Sequence, residues 1–408
     1  MKIGLFNFPI FRMLLGLGAM RVLLRGERIR GRLNSIDKMV IAWGAWVIVA
    51  SLFHEFTPGS GPVYALGAVY NMMLPYFLFR IWCRNRRELE FIIGAIAIML
   101  LPVAIAMYFE MTTVYNPFSI FGGVPEISMI REGRVRASGP FAHPILAGSL
   151  GATSFPLMAA IWKSHRALSI LGILACWTMV ITSASSGPLM SLIFGIFALC
   201  LWWLRPLTKY AIQALVFAYI LLSFIMSRPP YYLLSRIDVA GGSTGWHRSI
   251  LIDRFFEHFH EWWAIGTDHT QHWLPWAPGP SPEHTDITNA YIGFAVVAGL
   301  PALLLILAIL WRAFTWVGIA AKTRTGVTSQ DRFAAWCLGS ALFAHATTNI
   351  SVAYFDQTVV LYWALIATIS SYHSFTHPQP VLNKTLGSHK LVWNKAPPSI
   401  DPIKSTLD

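Results

Sequence analysis

Two arginine-bearing stretches and one histidine-rich loop hold the residues of this chain that could do chemistry. The first is REGRVRASGPFAHP (131–144), with three arginines in six residues, Gly133 and Gly139 beside them and His143 near its end. Guanidinium groups this close together can grip a phosphate through paired, planar hydrogen bonds, or anchor the chain on lipid headgroups. The second lies within residues 227–288, which contain four Arg, seven Asp or Glu and no Lys. Its centre, WHRSILIDRFFEHFHEWW (246–263), has helical periodicity. Trp246, Ile250, Leu251, Phe255, Phe259 and Trp262 form one apolar stripe, with Arg248, Asp253, Glu257 and Glu261 largely off it. GGST (241–244) ahead of it supplies flexibility and a Ser/Thr cap. Such a helix either lies on a membrane surface or roofs a cavity with Arg248 aimed inward, and the two arrangements are compatible.

The histidines of the same loop are His247, His258, His260, His269, His272 and His284. DHTQH (268–272) has a spacing that metal sites use, but two His three apart are common and no H-E-x-x-H sequence occurs. The expectation is therefore no metal and no cofactor. A surface of Trp, His and acid side chains also suits sugar rings, which stack on indoles and hydrogen-bond to carboxylates. Asn71, Glu110, His345, Asn349 and Asp356 lie in or near apolar runs, where unpaired charge is costly and faces protein or a cavity. Glu110, His345 and Asp356 are expected near one membrane face, where each could equally be an ordinary helix-end residue. Ser-Ser-Gly at 185–187 reads as a tight turn that needs no further role.

These residues must be positioned by membrane helices. Of 408 residues, 55% are hydrophobic and only 12% charged, half of the roughly 25% found in soluble domains. So few charges cannot cover a water-facing surface. The apolar residues come in ten runs near the length of about 17–25 residues that crosses hydrocarbon as a helix. They are 39–53, 63–83, 89–109, 141–162, 167–184, 187–204, 210–226, 289–311, 333–350 and 353–372. Residues 4–24 are apolar but broken by Pro9, Arg12 and Arg21, which favours an interfacial or partly inserted helix and leaves an eleventh span open. The fold expected is an all-α polytopic bundle of about 10–11 transmembrane helices with a long, partly helical loop. Its parts are a basic segment 1–38, seven helices over 39–226, a periplasmic loop 227–288, three helices over 289–372 and a disordered tail 373–408.

The net charge of +12 does not signal nucleic acid, because its carriers are scattered between apolar runs instead of gathered on one soluble face. Segments 21–38, 80–88, 163–166, 205–209, 312–332 and the tail hold 22 of the 31 Lys and Arg. Ten spans with both termini inside place all of them in the cytoplasm and the long loop outside. The four cysteines lie in or beside apolar runs, so neither a disulfide framework nor a zinc ribbon is expected. Nor is a cleavable signal peptide, since Arg12 and Arg21 interrupt the first segment and no small-residue cleavage site follows.

In order along residues 131–372, the arginine run before GPFAHPILAG (139–148), the paired spans around SSG, RIDVAGGSTGWHRSILI (236–252), EWWAIGT (261–267) and ITNAYIGFAVVAGLPALLL (287–305) resemble the O-antigen ligase/polymerase family. These are bacterial inner-membrane glycosyltransferases. The resemblance lies in order and topology, not in one diagnostic motif. It implies transfer of a glycan from an undecaprenyl-diphosphate carrier to a saccharide acceptor at the periplasmic face, without metal. Arg136 matches the arginine before Gly-Pro-Phe, Arg248 the arginine early in the long loop, and Asn289 and Tyr291 the family's Asn and Tyr. Arg236 and His143, inside the same motifs, join them as substrate-binding candidates. Thr288 occupies the place of the family's His, so the base must be another residue, and His284 or Asp286 stands nearest in sequence. The chemistry is coherent: a sugar hydroxyl attacking an anomeric carbon needs a base, and the departing diphosphate needs fixed positive charge. Arginines can supply that charge without Mg²⁺, consistent with the lack of an Asp-x-Asp sequence.

The leading expectation is thus a membrane glycosyltransferase, a repeat-unit polymerase for exopolysaccharide or O-antigen ahead of a ligase to lipid A core. It would work beside the components of a polysaccharide export system. A transporter or flippase of lipid-linked glycan is the alternative, and a non-catalytic assembly component the third. No convincing internal repeat is present, which counts against a transporter built from inverted halves.

Overall fold

The computed structural model describes residues 2–3, 6–7, 9–55, 61–236, 245–277, 279, 283–323 and 328–376. GGST (241–244) and the tail beyond 376 lie outside them. The fold is an all-α bundle. Its helices are α1 (Ile10–Leu24), α2 (Ser35–Ser51), α3 (Gly61–Trp82), α4 (Arg86–Thr113), α5 (Pro144–Ala160), α6 (Arg166–Thr182) and α7 (Ser186–Cys200). They continue as α8 (Thr208–Ile225), α9 (Gly245–Glu257), α10 (Phe259–Trp262), α11 (Ala290–Lys322), α12 (Ser329–Thr348) and α13 (Thr358–Thr376). Among the described residues, strand is confined to two short antiparallel pairs, β1 (Lys2–Ile3) with β2 (Phe6–Asn7) and β3 (Met129–Arg131) with β4 (Arg134–Arg136). Helix dominates because an apolar run can hide its backbone N–H and C=O groups only by pairing them within itself. Four described helical segments are long and apolar enough to cross a membrane: Gly61–Trp82, Arg86–Thr113, Ser186–Leu207 and Ala290–Lys322.

Helix α5 is the hub, packed against α6, α7 and α12, and α4 lies along α6. Its sequence PILAGSLGATSFPLMAA is small at most positions, which lets neighbouring backbones approach. A Cβ at Gly151 would stand 2.8 Å from the Cys176 carbonyl oxygen, and one at Gly148 would meet Ser183 Oγ at 2.4 Å. Helices α2 and α3 complete the bundle against α11 and α13. At the end where α2 begins and α13 finishes, Asp37 is fully buried and serves three purposes. It closes the Asn34 capping box of α2, accepts the Tyr76 hydroxyl at 2.6 Å and pairs with Arg80 Nε at 3.1 Å.

Two boundaries differ from the sequence expectation. Residues 312–322, expected as part of a loop, extend α11, because Ala313, Trp316, Val317, Ala320 and Ala321 keep its buried face going past Arg312. The last helix starts at Thr358, not 353, after Asp356 takes a left-handed backbone with φ 61°.

Helix α11 is broken at Ala298–Gly299, just before Pro301, which has no N–H to give the preceding turn. The freed groups find partners in the loop that folds onto them. Thr267 N–H donates to the Val296 carbonyl at 2.9 Å, Leu300 N–H to the Trp263 carbonyl at 2.8 Å, and Trp46 Nε1 to the Ala298 carbonyl at 2.7 Å. Only glycine fits this junction. Gly299 has φ 76°, and a Cβ there would lie 2.4 Å from the Ala264 carbonyl oxygen, while one at Gly266 would lie 2.2 Å from that of Val296. The segment EWWAIGT is thereby fixed against the bundle, and α9 with it.

Candidate functional site

The arginine run folds as a hairpin. Glu132 and Gly133, both at positive φ, turn the chain between β3 and β4, and Arg136 pairs across with Met129. Behind it, Glu110 near the C-terminus of α4 is fully buried and accepts from Ser128 Oγ at 2.7 Å, Ser138 N–H at 2.9 Å and Gly139 N–H at 2.8 Å. Ala137 N–H donates to the Thr182 carbonyl at the end of α6. The backbone following Arg136 is therefore held rigidly, and so is the side chain. Its NH2 donates to Ser185 Oγ at 2.6 Å, and that hydroxyl in turn donates to the Ser183 carbonyl.

Arg136 is 5% exposed and Arg248 9%, and the Nε of each is buried without a hydrogen-bond partner. Burial first, and then the charge of Arg131, lowers the pKa of both guanidiniums from its ordinary value. His143, the N-cap of α5, lies within electrostatic reach of Arg136 and Asp286. His247, next to Arg248, uses Nε2 to reach the Asp286 carbonyl at 3.0 Å. Arg131, Arg136 and His143, Arg248, and Asp286 thus act on one another electrostatically from three separate parts of the chain. Cations buried with unsatisfied donors are costly unless an anion meets them. An anion beside Arg136 and Arg248 would offset that cost.

The other candidates are placed differently. The charges acting on His284 are Asp268, Glu283 and His269; its Nδ1 stands 3.4 Å from Thr270 Oγ1, and burial lowers its pKa. Asn289 caps α11, its Oδ1 accepting from the N–H groups of Tyr291 and Ile292. Tyr291 donates its hydroxyl to the Ala346 carbonyl at 2.9 Å. Arg236 is exposed at the end of the 3-10 turn Pro230–Arg236. Thr288 Oγ1 is buried with no partner. Glu110 is a structural clamp whose oxygens accept from Ser128, Ser138 and Gly139. His345 pairs with the Tyr354 hydroxyl at 2.9 Å, and Asp356 accepts from Ala142 N–H at 3.4 Å.

Two expectations are corrected here. Arg248 was expected off the apolar stripe, yet it lies on the buried face of α9 with Ser249, Leu251 and Phe255. Trp246 is instead exposed on the far side of α9, against Trp276, and Phe259 is exposed because the helix breaks at His258 and its phase is lost beyond that point. Ser185, read as part of a plain turn, is the acceptor that orients Arg136. The pair of serines, Ser185 and Ser186, was the one signal available in the sequence, and the structure adds the positive φ of Ala184 beside them.

A scan of protein-family models and a search of curated proteins each gave no match to this chain.

Proposed function

We propose that this chain is a membrane glycosyltransferase that moves a glycan from an undecaprenyl-diphosphate carrier to a saccharide acceptor. The observation that carries the proposal is the pair of buried arginines, Arg136 and Arg248, each with an unpartnered Nε and both under the charge of Arg131. Planar donors in a shielded site suit a diphosphate, and they are strongest where charge grows on the leaving group. Asp286, within reach of His143, takes the proton from the acceptor hydroxyl. His143 and His247 orient the reacting groups around it. The product bond joins acceptor oxygen to anomeric carbon, and the carrier leaves as its diphosphate.

In this proposal the bundle crosses the bacterial inner membrane ten times, with both termini in the cytoplasm and 227–288 in the periplasm. Repeat-unit polymerisation is preferred over ligation to lipid A core. The decisive experiment incubates purified protein with undecaprenyl-diphosphate oligosaccharide. Chain growth or transfer to an added acceptor supports the proposal; movement of the lipid across a vesicle without bond formation would replace it with a flippase. Orientation is tested separately: a cysteine near Gly279 should react with an impermeant thiol reagent in spheroplasts, and one near Thr325, outside the described residues, should not.

A further inference from the structure

We propose that His258, Glu261 and His272 form a binding site for one divalent transition-metal ion of the zinc type. One ligand atom from each of the three lies within 4.8 Å of the others. The residues come from separate places, His258 and Glu261 from the α9–α10 junction and His272 from the short 3-10 turn Gln271–Trp273. This is not the grouping that the spacing of DHTQH suggests. Asp268 pairs with His54 at 2.7 Å and His269 stands 3.4 Å from Glu55, so only His272 of that run belongs to the cluster.

The outer partners are already in place. His258 donates Nδ1–H to the Arg254 carbonyl at 2.9 Å, which leaves Nε2 with the lone pair to offer. Its ring lies nearly parallel to Trp273, centroids 5.5 Å apart, so its orientation is fixed. Glu261 accepts the Trp273 indole N–H at 2.9 Å through Oε2, and both its oxygens stand 3.0 Å from His272 Nε2. Ligand imidazoles and carboxylates held by such outer hydrogen bonds are the common pattern of metal sites. Two imidazoles and one carboxylate suit zinc, with water completing a tetrahedron. The exposed ring of His272 can close the remaining gap by rotating.

The ion would be a strut. It joins the end of α9 to the turn carrying Trp273, beside the stacked pair Phe255 and Trp262. Ten residues of helix separate His258 from Arg248, about 15 Å at the usual rise, so the ion stands away from the arginine cluster. This inference does not rest on the transfer proposal.

The test uses the full chain in nanodiscs, stripped with chelator and titrated with Co²⁺ and then Zn²⁺. The expected result is one equivalent of Co²⁺ with the visible absorption of a four-coordinate site, displaced by Zn²⁺. His258→Ala and His272→Ala should each weaken binding by more than the roughly 10–100-fold that losing an outer partner costs. Trp273→Phe should fall within that range, and His269→Ala should bind as the wild type does. Zn²⁺ should also raise the melting temperature of the wild type and of His269→Ala, and should leave that of His272→Ala unchanged. No stoichiometric Co²⁺ in the wild type, or undiminished binding in His258→Ala/His272→Ala, overturns the site. His272 is exposed, so its variant keeps the fold, and the wild-type titration decides the matter without any variant.

Discussion

Arg80 and the pair Arg136–Arg248 are all buried arginines, at opposite ends of the bundle, and their surroundings differ in kind. Around Arg80, Nε meets Asp37, and NH1 and NH2 meet Ser371 and Ser374 at 3.3 and 2.9 Å. Tyr76 and Ser370 fill further acceptor positions on Asp37. That region is closed: every partner comes from α2, α3 or α13, and it locks the three helices together. The charge that acts on Arg136 and Arg248 is that of another arginine, Arg131, and their Nε groups have no acceptor. Burial alone therefore does not distinguish a structural arginine from one that meets a ligand. The inventory of partners does, since burying an unpaired charge is costly and persists only where something compensates it.

The largest effect should come from breaking the closed region. Asp37→Ala leaves Arg80 buried without its carboxylate, which should cost about 3–5 kcal/mol of stability. Thermal unfolding in detergent would read this as a large drop in melting temperature. A variant that melts with the wild type would mean that Arg80 is solvated after all, and the contrast between the two ends would fail.

The arginine cluster should respond in the opposite manner, in function and not in stability. Arg248→Ala and Arg248→Lys should both fold, and both should lose transfer by about 2–4 kcal/mol of transition-state stabilisation, the scale of lost oxyanion donors. Lysine should do little better than alanine, since the planar fork is what a diphosphate reads. Under the rival view Arg248 anchors an interfacial helix on headgroups, and lysine serves equally well. Full activity in Arg248→Lys would remove it from the site and leave Arg136 as the main contact.

Next in size comes the base. Asp286→Asn should lower transfer by roughly 10²-fold, the ordinary scale of general-base catalysis. His284→Ala should leave it nearly unchanged, because His284 sits with Asp268, Glu283 and His269 instead. The reverse outcome would move the base to His284 and require the loop to rearrange around Thr270.

What the sequence made legible follows from how local each signal is. The apolar runs announced the helices, since hydrocarbon-length runs leave few alternatives. The arginine run before Gly-Pro-Phe and Arg248 were also visible, as charges out of place. The break at Ala298–Gly299 was not, because it depends on Trp46 and the 263–267 segment supplying partners from far away in the chain. The burial of Arg248 was one of two arrangements open to its helix, and the apolar stripe alone argued against it. A stripe started from Trp246 puts Arg248 off it, whereas the buried face of α9 runs through Arg248, Leu251 and Phe255 and leaves Trp246 outside. Glu110 showed as an acid at a helix end, but its three donors lie 18 to 29 residues downstream.

The smallest expected effect, and the sharpest comparison, concerns Ser185. Its hydroxyl is the one protein oxygen that the Arg136 guanidinium is seen to meet among the described residues, at 2.6 Å. The hydroxyl hydrogen is committed to the Ser183 carbonyl at 2.8 Å, which turns a lone pair toward Arg136. Ser185→Ala keeps the arginine and its charge and removes only this tether. A net hydrogen bond is worth about 0.5–1.5 kcal/mol, so transfer should fall by up to about tenfold with stability barely altered. Ser185→Thr keeps the hydroxyl and should restore most of the rate, which a turn residue valued only for its backbone would not require. If Ser185→Ala transfers as the wild type does, the tether is incidental, and Arg136 is held by the hairpin and Glu110 alone. If Ser185→Ala and Ser185→Thr fail equally, the turn itself is the sensitive feature, and Ser185 belongs with the closed, structural region and not with the open one.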